Sequence, residues 1–180
     1  MNWEALTAIS TAFTGLVILL TVVYAARQVR LMNEQSKATS AHLDQLRRAT
    51  QLSGIMAIFN EWQSPEIRAA YSFVMSEFSE RMKDEQFRAE ALTQSPDATV
   101  HKELVVLRDG ERIGTLVKTG LLDADALLEY AGNYISETWR RLEPLVREQR
   151  RLWGSEAFWE HFEYLASRAR RFVEERVRHD

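Results

Sequence analysis

Four histidines, His42, His101, His161 and His179, are the side chains best able to move a proton or bind a metal near neutral pH. The chain has no cysteine to work beside them. A zinc site needs three or four ligands at close spacing, such as two histidines four apart on one helix face with a glutamate between. None of the four histidines stands in such a pattern, and no metal ligand is assigned. His161, flanked by Glu160 and Glu163, reads as exposed helix surface. The glycine patterns of a phosphate-cradling loop, a dinucleotide-binding turn and a nucleophile elbow are all missing. No catalytic and no cofactor-binding residue is therefore assigned, and the expectation is a protein that is not an enzyme and carries no cofactor.

One nucleolytic arrangement comes near. Helical ribonucleases of the HEPN type place an arginine a few residues before a histidine, so that both meet at a dimer interface. Here Arg171 precedes His179 with seven residues between, too many for that pattern. The arginines from Arg168 to Arg178 alternate with Glu174 and Glu175, the composition of a salt-bridged, solvated helix face. Hydrolysis of RNA stays a third reading, and nucleic acid is not an expected partner.

The element that positions everything else is the N-terminal one. From Ala5 to Ala26 there are 22 residues without a charge, and Arg27 and Arg30 follow at once. At about 1.5 Å per residue this stretch spans the ~30 Å hydrocarbon core of a bilayer. The segment before it, Met1 to Glu4, has no Lys or Arg, and the apolar run is too long for a signal peptide, although Val23-Tyr24-Ala25 could pass as a cleavage site. Trp3 and Tyr24 bracket the run as interfacial aromatics do. The reading is a single-pass anchor. Arg27, Arg30, Lys37, Arg47 and Arg48 outnumber Glu34 and Asp44 beyond it, which places the C-terminal side in the cytoplasm of a bacterial inner membrane and the N-terminus outside. The juxtamembrane Arg27, Arg30 and Lys37 would meet anionic head groups of the bilayer.

Within the anchor, Thr7, Thr11 and Gly15 fall on one stripe, with Ser10 and Thr14 on the next. Small residues at four-residue spacing let helices approach closely, which makes a homo-oligomer the expected assembly. The bland alternative is that each hydroxyl bonds its own helix. A second functional reading puts Ser10 and Thr14 on the lumen of an oligomeric, pore-forming effector in stress or phage defence.

The remaining chain is rich in Ala, Leu, Glu and Arg with three prolines and seven glycines, a helical composition. Lys and Arg number 5 against 2 acidic residues over 27–60, 8 against 15 over 61–137, and 10 against 8 over 138–180. The middle of the chain is thus acidic between two basic flanks. Three regions are expected: an anchor over 1–26, a connector helix over 27–53, and a helical domain over 54–180. Leu43 and Leu46 suit a coiled-coil seam, but too few heptads surround them to assign one. The connector could be a solvated stalk or pack back on the domain.

Gly54 is expected to break the connector, with a short apolar helix from Ile55 to Trp62. Ser64-Pro65 starts the next helix as N-cap and first residue, with Ile67, Ala70, Tyr71, Val74, Met75 and Phe78 on its core face. A short acidic helix over 84–92 and a loop at Gln94–Asp97 follow. Residues 102–120 fit either a hairpin turning at Asp109-Gly110 or a helix that presents Val106, Gly110, Ile113 and Val117 with Gly114 alongside. Helix is the reading chosen, since no other segment supplies a sheet. A long helix continues through Trp139, kinked or restarted at Pro144. Ser155 is expected to cap a last helix that turns Phe158, Trp159, Phe162 and Leu165 inward. The fold class is all-α: the anchor helix, its juxtamembrane continuation, and a cytosolic bundle of about five to six helices.

The stretch from Ile113 to Asp123, with Gly114, Gly120 and Asp123, resembles a bacterial family of small, uncharacterised, N-terminally anchored helical proteins. So do Trp139, Pro144, Arg147 and Arg150, and the exit from the apolar run at Tyr24 to Arg30. The resemblance implies a single-span anchor and a cytosolic helical domain, and it carries over no catalytic residue. The functional expectation is a membrane-anchored, self-associating interaction or scaffold protein whose protein partner is unknown.

Overall fold

A computed structural model describes residues 3–93, 96–97 and 99–179. Among the described residues there are seven helices and no strand: α1 (Trp3–Trp62), α2 (Pro65–Ser76), α3 (Phe78–Arg81), α4 (Glu85–Ala91), α5 (Glu103–Lys118), α6 (Ala124–Trp153) and α7 (Glu160–His179). The all-α class expected from composition is the class observed. The chain divides into two units, residues 1–49 and 50–180.

The first unit is helical from Trp3 onward, and every residue in it whose burial is described is exposed. This α-helix is long and apolar enough to cross a membrane, and none of its apolar window is buried within the chain.

The second unit holds the end of α1 and the six helices that follow. Its core runs from Ile55 to Ala169, with Val74, Phe78, Leu107, Ile113, Leu127, Leu142, Leu145 and Phe162 closed off from solvent. α7 lies against both α5 and α6, and α2 packs on the same pair. Tyr71, Val74 and Phe78 are buried as their spacing predicts, and Ser64 caps α2 by accepting from the Ile67 N–H at 3.3 Å.

Four local expectations need correction. Gly54 does not break α1, which runs through it to Trp62. A Cβ there would lie 3.2 Å from Leu122 Cδ1, so the glycine makes room for a neighbour instead of ending a helix. Pro144 does not restart α6, a single 30-residue helix, and it lies on the exposed side of it. Ser155 does not cap α7. Its Oγ accepts from Ala157 N within the preceding turn, and the helix begins at Glu160, after Phe158 and Trp159. His161 is not free helix surface, as described below. Of the loop expected at Gln94–Asp97, Gln94 and Ser95 lie outside the described residues.

Candidate functional site

The stripe residues of the apolar helix keep their polar atoms to themselves. The hydroxyls of Thr7, Thr11 and Thr14 donate to the carbonyls of Trp3, Thr7 and Ser10, each at 2.9 Å. The donor of each of these three hydroxyls is thus used within one helix. Gly15 has nothing within 4 Å of where a Cβ would stand, and Ser10 is exposed. Arg27, Arg30 and Lys37 are exposed along the same helix.

Five of the seven residues named for the family resemblance, Gly114, Gly120, Asp123, Trp139 and Arg150, hold the fold together, and Pro144 and Arg147 lie on its surface. Gly114 lies where α5 crosses the start of α7: a Cβ would come 2.1 Å from the His161 carbonyl oxygen. Gly110 does the same beneath the Phe162 ring, at 2.5 Å. Gly120 ends α5 in the left-handed region at φ 72°, with the N–H of Leu121 returning to the Leu116 carbonyl at 3.0 Å. Asp123 caps α6, accepting from the N–H groups of Asp125 and Ala126 at 3.0 and 3.1 Å. Trp139 is buried with its ring edge-on to Phe162. Arg150 donates to the Phe158 carbonyl at 2.9 Å and stands 2.8 Å from Glu163, bracing the α6–α7 corner. Arg147 is exposed and pairs with Glu143 at 2.7 Å. Pro144 sits on the outer face of α6.

Three polar centres inside the second unit were not foreseen. Asp109, read as half of a possible turn, is buried on α5. Its Oδ2 accepts from Trp62 Nε1 at 2.7 Å and from the Tyr71 hydroxyl at 2.9 Å, and its Oδ1 accepts from Arg112 at 2.6 Å. Arg112 reaches on to Glu61 at 2.6 Å. Burial, with the Asp109 carboxylate beside it, holds the Tyr71 hydroxyl well above the usual phenol range. This carboxylate therefore ties the end of α1, α2 and α5 to one point, and its donors all come from the chain itself. An acid three residues before an arginine on an otherwise apolar face was the available signal.

His101 and Glu103 form the second centre. His101 Nδ1 and Glu103 Oε1 are 2.8 Å apart, both residues are closed to solvent, and the Phe87 ring stacks on the imidazole at 4.6 Å. Burial pushes Glu103 up from the ordinary carboxylate range, against the hydrogen bond from His101. The third is Glu111, whose Oε2 accepts from the N–H groups of His161 and Phe162 at 3.1 and 3.0 Å while Oε1 meets His161 Nδ1 at 2.7 Å. The first turn of α7 is thus capped by a carboxylate on α5, and His161 is half-buried in that contact. Partners some fifty residues apart leave no periodic trace in a sequence.

These centres fix helices, and the first of them borders an open groove of about 260 Å³ between Glu61, Ile67, Arg108, Asp109 and Arg112. Of the arginine–histidine pair considered for RNA cleavage, Arg171 is exposed on α7, and the side chain of His179 lies outside what is described.

No curated protein and no solved structure matches the chain. A family model does, over residues 11–169, which takes in most of α1 and nearly all of the helical domain. By that match the chain belongs to the family described as a domain of unknown function, DUF4760.

Proposed function

We propose that the protein is a membrane-anchored, non-enzymatic interaction protein. The apolar part of α1 crosses the bacterial inner membrane once with its N-terminus outside, and the domain from residue 50 onward works in the cytoplasm as a scaffold. The observation that carries this reading is the complete exposure of an apolar helix, including Phe13, Leu16, Ile18, Leu19 and Leu20. A core helix of a water-soluble protein would be covered by its own chain. Leaving such side chains in water forgoes about 1.5–3 kcal/mol each, which a bilayer returns. The excess of Arg and Lys just after the apolar run supports the orientation. The spacing of Thr11 and Gly15, with hydroxyls already satisfied, supports association between copies by close packing.

Membrane fractionation of the full chain, with a reporter fused at either end, tests this. The protein should resist alkaline carbonate, dissolve in mild detergent and show a cytoplasmic C-terminal reporter. Release by carbonate would remove the anchor, and a periplasmic C-terminal reporter would invert the orientation. Detergent-corrected light scattering tests the association: a defined oligomer is expected, and a monomer would reduce α1 to a tether.

A further inference from the structure

We infer that the buried pair of His101 and Glu103 is a proton-operated clasp on α4: with a proton shared in the pair the imidazole offers an N–H to Glu90, and without it the same ring turns a bare nitrogen to that carboxylate. Nδ1 of His101 and Oε1 of Glu103 are 2.8 Å apart, so one proton lies between them. The other ring nitrogen, Nε2, stands 3.6 Å from Oε2 of Glu90 on α4. Oε1 of Glu90 accepts from Gln86 at 2.9 Å, which leaves Oε2 for the ring. Both members of the pair are closed to solvent, and Phe87 of α4 stacks on the imidazole at 4.6 Å. Apart from the imidazole and its own backbone N–H, no donor is directed at the Glu103 carboxyl among the described residues, and Oε2 has no hydrogen-bond partner.

Counting protons shows what the contact does. An ionised carboxylate placed in this way gives up the hydration of Oε2 without replacement. A neutral acid gives up less, and its single O–H donates to Nδ1. The neutral ring then keeps its own proton on Nε2, directed at Glu90. Moving the acid proton onto the ring leaves the same total charge and the same N–H toward Glu90. When one proton leaves the pair for solvent, the proton that remains on the ring must serve the Glu103 carboxylate from Nδ1. Nε2 is then a lone pair facing a carboxylate, acceptor against acceptor, with Glu103 ionised behind it. The other charged groups around the pair are Asp97 of the loop and Arg81 of α3, whose guanidinium lies 4.8 Å over the Phe87 ring. Lys102, between the two residues, is exposed. None of these donates to Nε2, which has no hydrogen-bond partner among the described residues. Toward α2 and α6, α4 is held by uncharged groups: Phe87 against Phe73, and the Ala91 carbonyl accepting from Gln149 at 3.3 Å. Raising pH therefore loosens α4 at its Glu90 contact.

The full chain in mild detergent, isotope-labelled at the histidine ring nitrogens, tests this by magnetic resonance between about pH 4 and about pH 8. His101→Gln assigns the signal. At the alkaline end Nδ1 should carry the proton and Nε2 should be bare; at the acid end Nε2 should carry one. Amide exchange of Phe87 to Ala91, corrected for the intrinsic effect of pH, should quicken by about fivefold or more across the range, since a proton held tenfold more tightly in the closed form changes opening about tenfold. Glu103→Gln donates to Nδ1 at every pH, and should keep the proton on Nε2 and a flat exchange profile. Glu90→Gln should keep the change of tautomer and lose the change in exchange. A ring with its proton on Nε2 at both ends overturns the clasp, as does an undiminished rise in exchange in Glu103→Gln or in Glu90→Gln. Should Glu103→Gln fail to fold, the wild type and Glu90→Gln, altered at an exposed residue, decide the matter between them.

Discussion

Glu103 is a carboxylate closed to solvent whose nearest basic group is an imidazole, with Glu90, Arg81 and the loop carboxylate Asp97 around the pair. Burial raises its affinity for a proton in the folded state above that in the unfolded chain. Wherever the native form holds the proton more tightly, stability falls as pH rises. The contribution of Glu103 is therefore complete below the ordinary glutamate range, about 4.3, and is lost as pH climbs from there through the raised folded value. Urea midpoints followed upward from pH 4 should drop more steeply for the wild type than for Glu103→Gln. The same slope in both proteins would show that another group is responsible. Nothing in the sequence marked this pair, because the separation of His101 and Glu103 by one residue looks like any loop entering a helix. The Phe87 ring of α4 packs on the imidazole in the buried pair.

At the scale of elements, much of the fold is written in short-range patterns. The faces of α2 and α5, the Ser64-Pro65 start and the Gly120 stop follow from spacing and cap chemistry, and the helical state of residues 103–118 from the lack of any other segment to complete a sheet. Gly110 and Gly114, placed on and beside one face of α5 by their spacing, lie where α7 crosses it closely. What spacing does not carry is which glycine makes room and which one stops a helix: Gly54 and Gly120 look alike in sequence, yet only Gly120 adopts positive φ. The same limit hid Asp109 and Glu111, whose partners come from other helices. A paired substitution tests the crossing. Gly114→Ala drives a methyl onto the backbone of His161 and should cost about 3 kcal/mol or more, read as a lower thermal midpoint. Gly132→Ala, on α6, meets nothing closer than Val173 Cγ2 at 3.5 Å and gains helix propensity, so it should stabilise by up to ~1 kcal/mol. Equal effects would mean that α5 and α7 do not approach as closely as described.

At the scale of the molecule, the core begins at Ile55 and every residue in it belongs to the unit of residues 50–180. The apolar helix contributes nothing to that core. Expressed alone, residues 50–180 should be soluble and fully helical by circular dichroism, and should melt within a few degrees of the full chain in detergent. A molten or aggregating fragment would show that the domain depends on residues before 50. The packed core thus belongs to one unit and the long apolar helix to the other, and the family match spans both.

The cap that Glu111 provides has a consequence in time. The ribosome delivers α5 well before α7, some fifty residues separating Glu111 from the N–H groups it accepts. Until α7 emerges, the notch at Gly110 and Gly114 is vacant, and the apolar faces of α5 and α6 have no cover. The N–H groups of His161 and Phe162 in the first turn of α7 likewise wait for that carboxylate. The α5–α7 crossing and the cap of α7 are thus one contact, which the chain can make only once both helices are present.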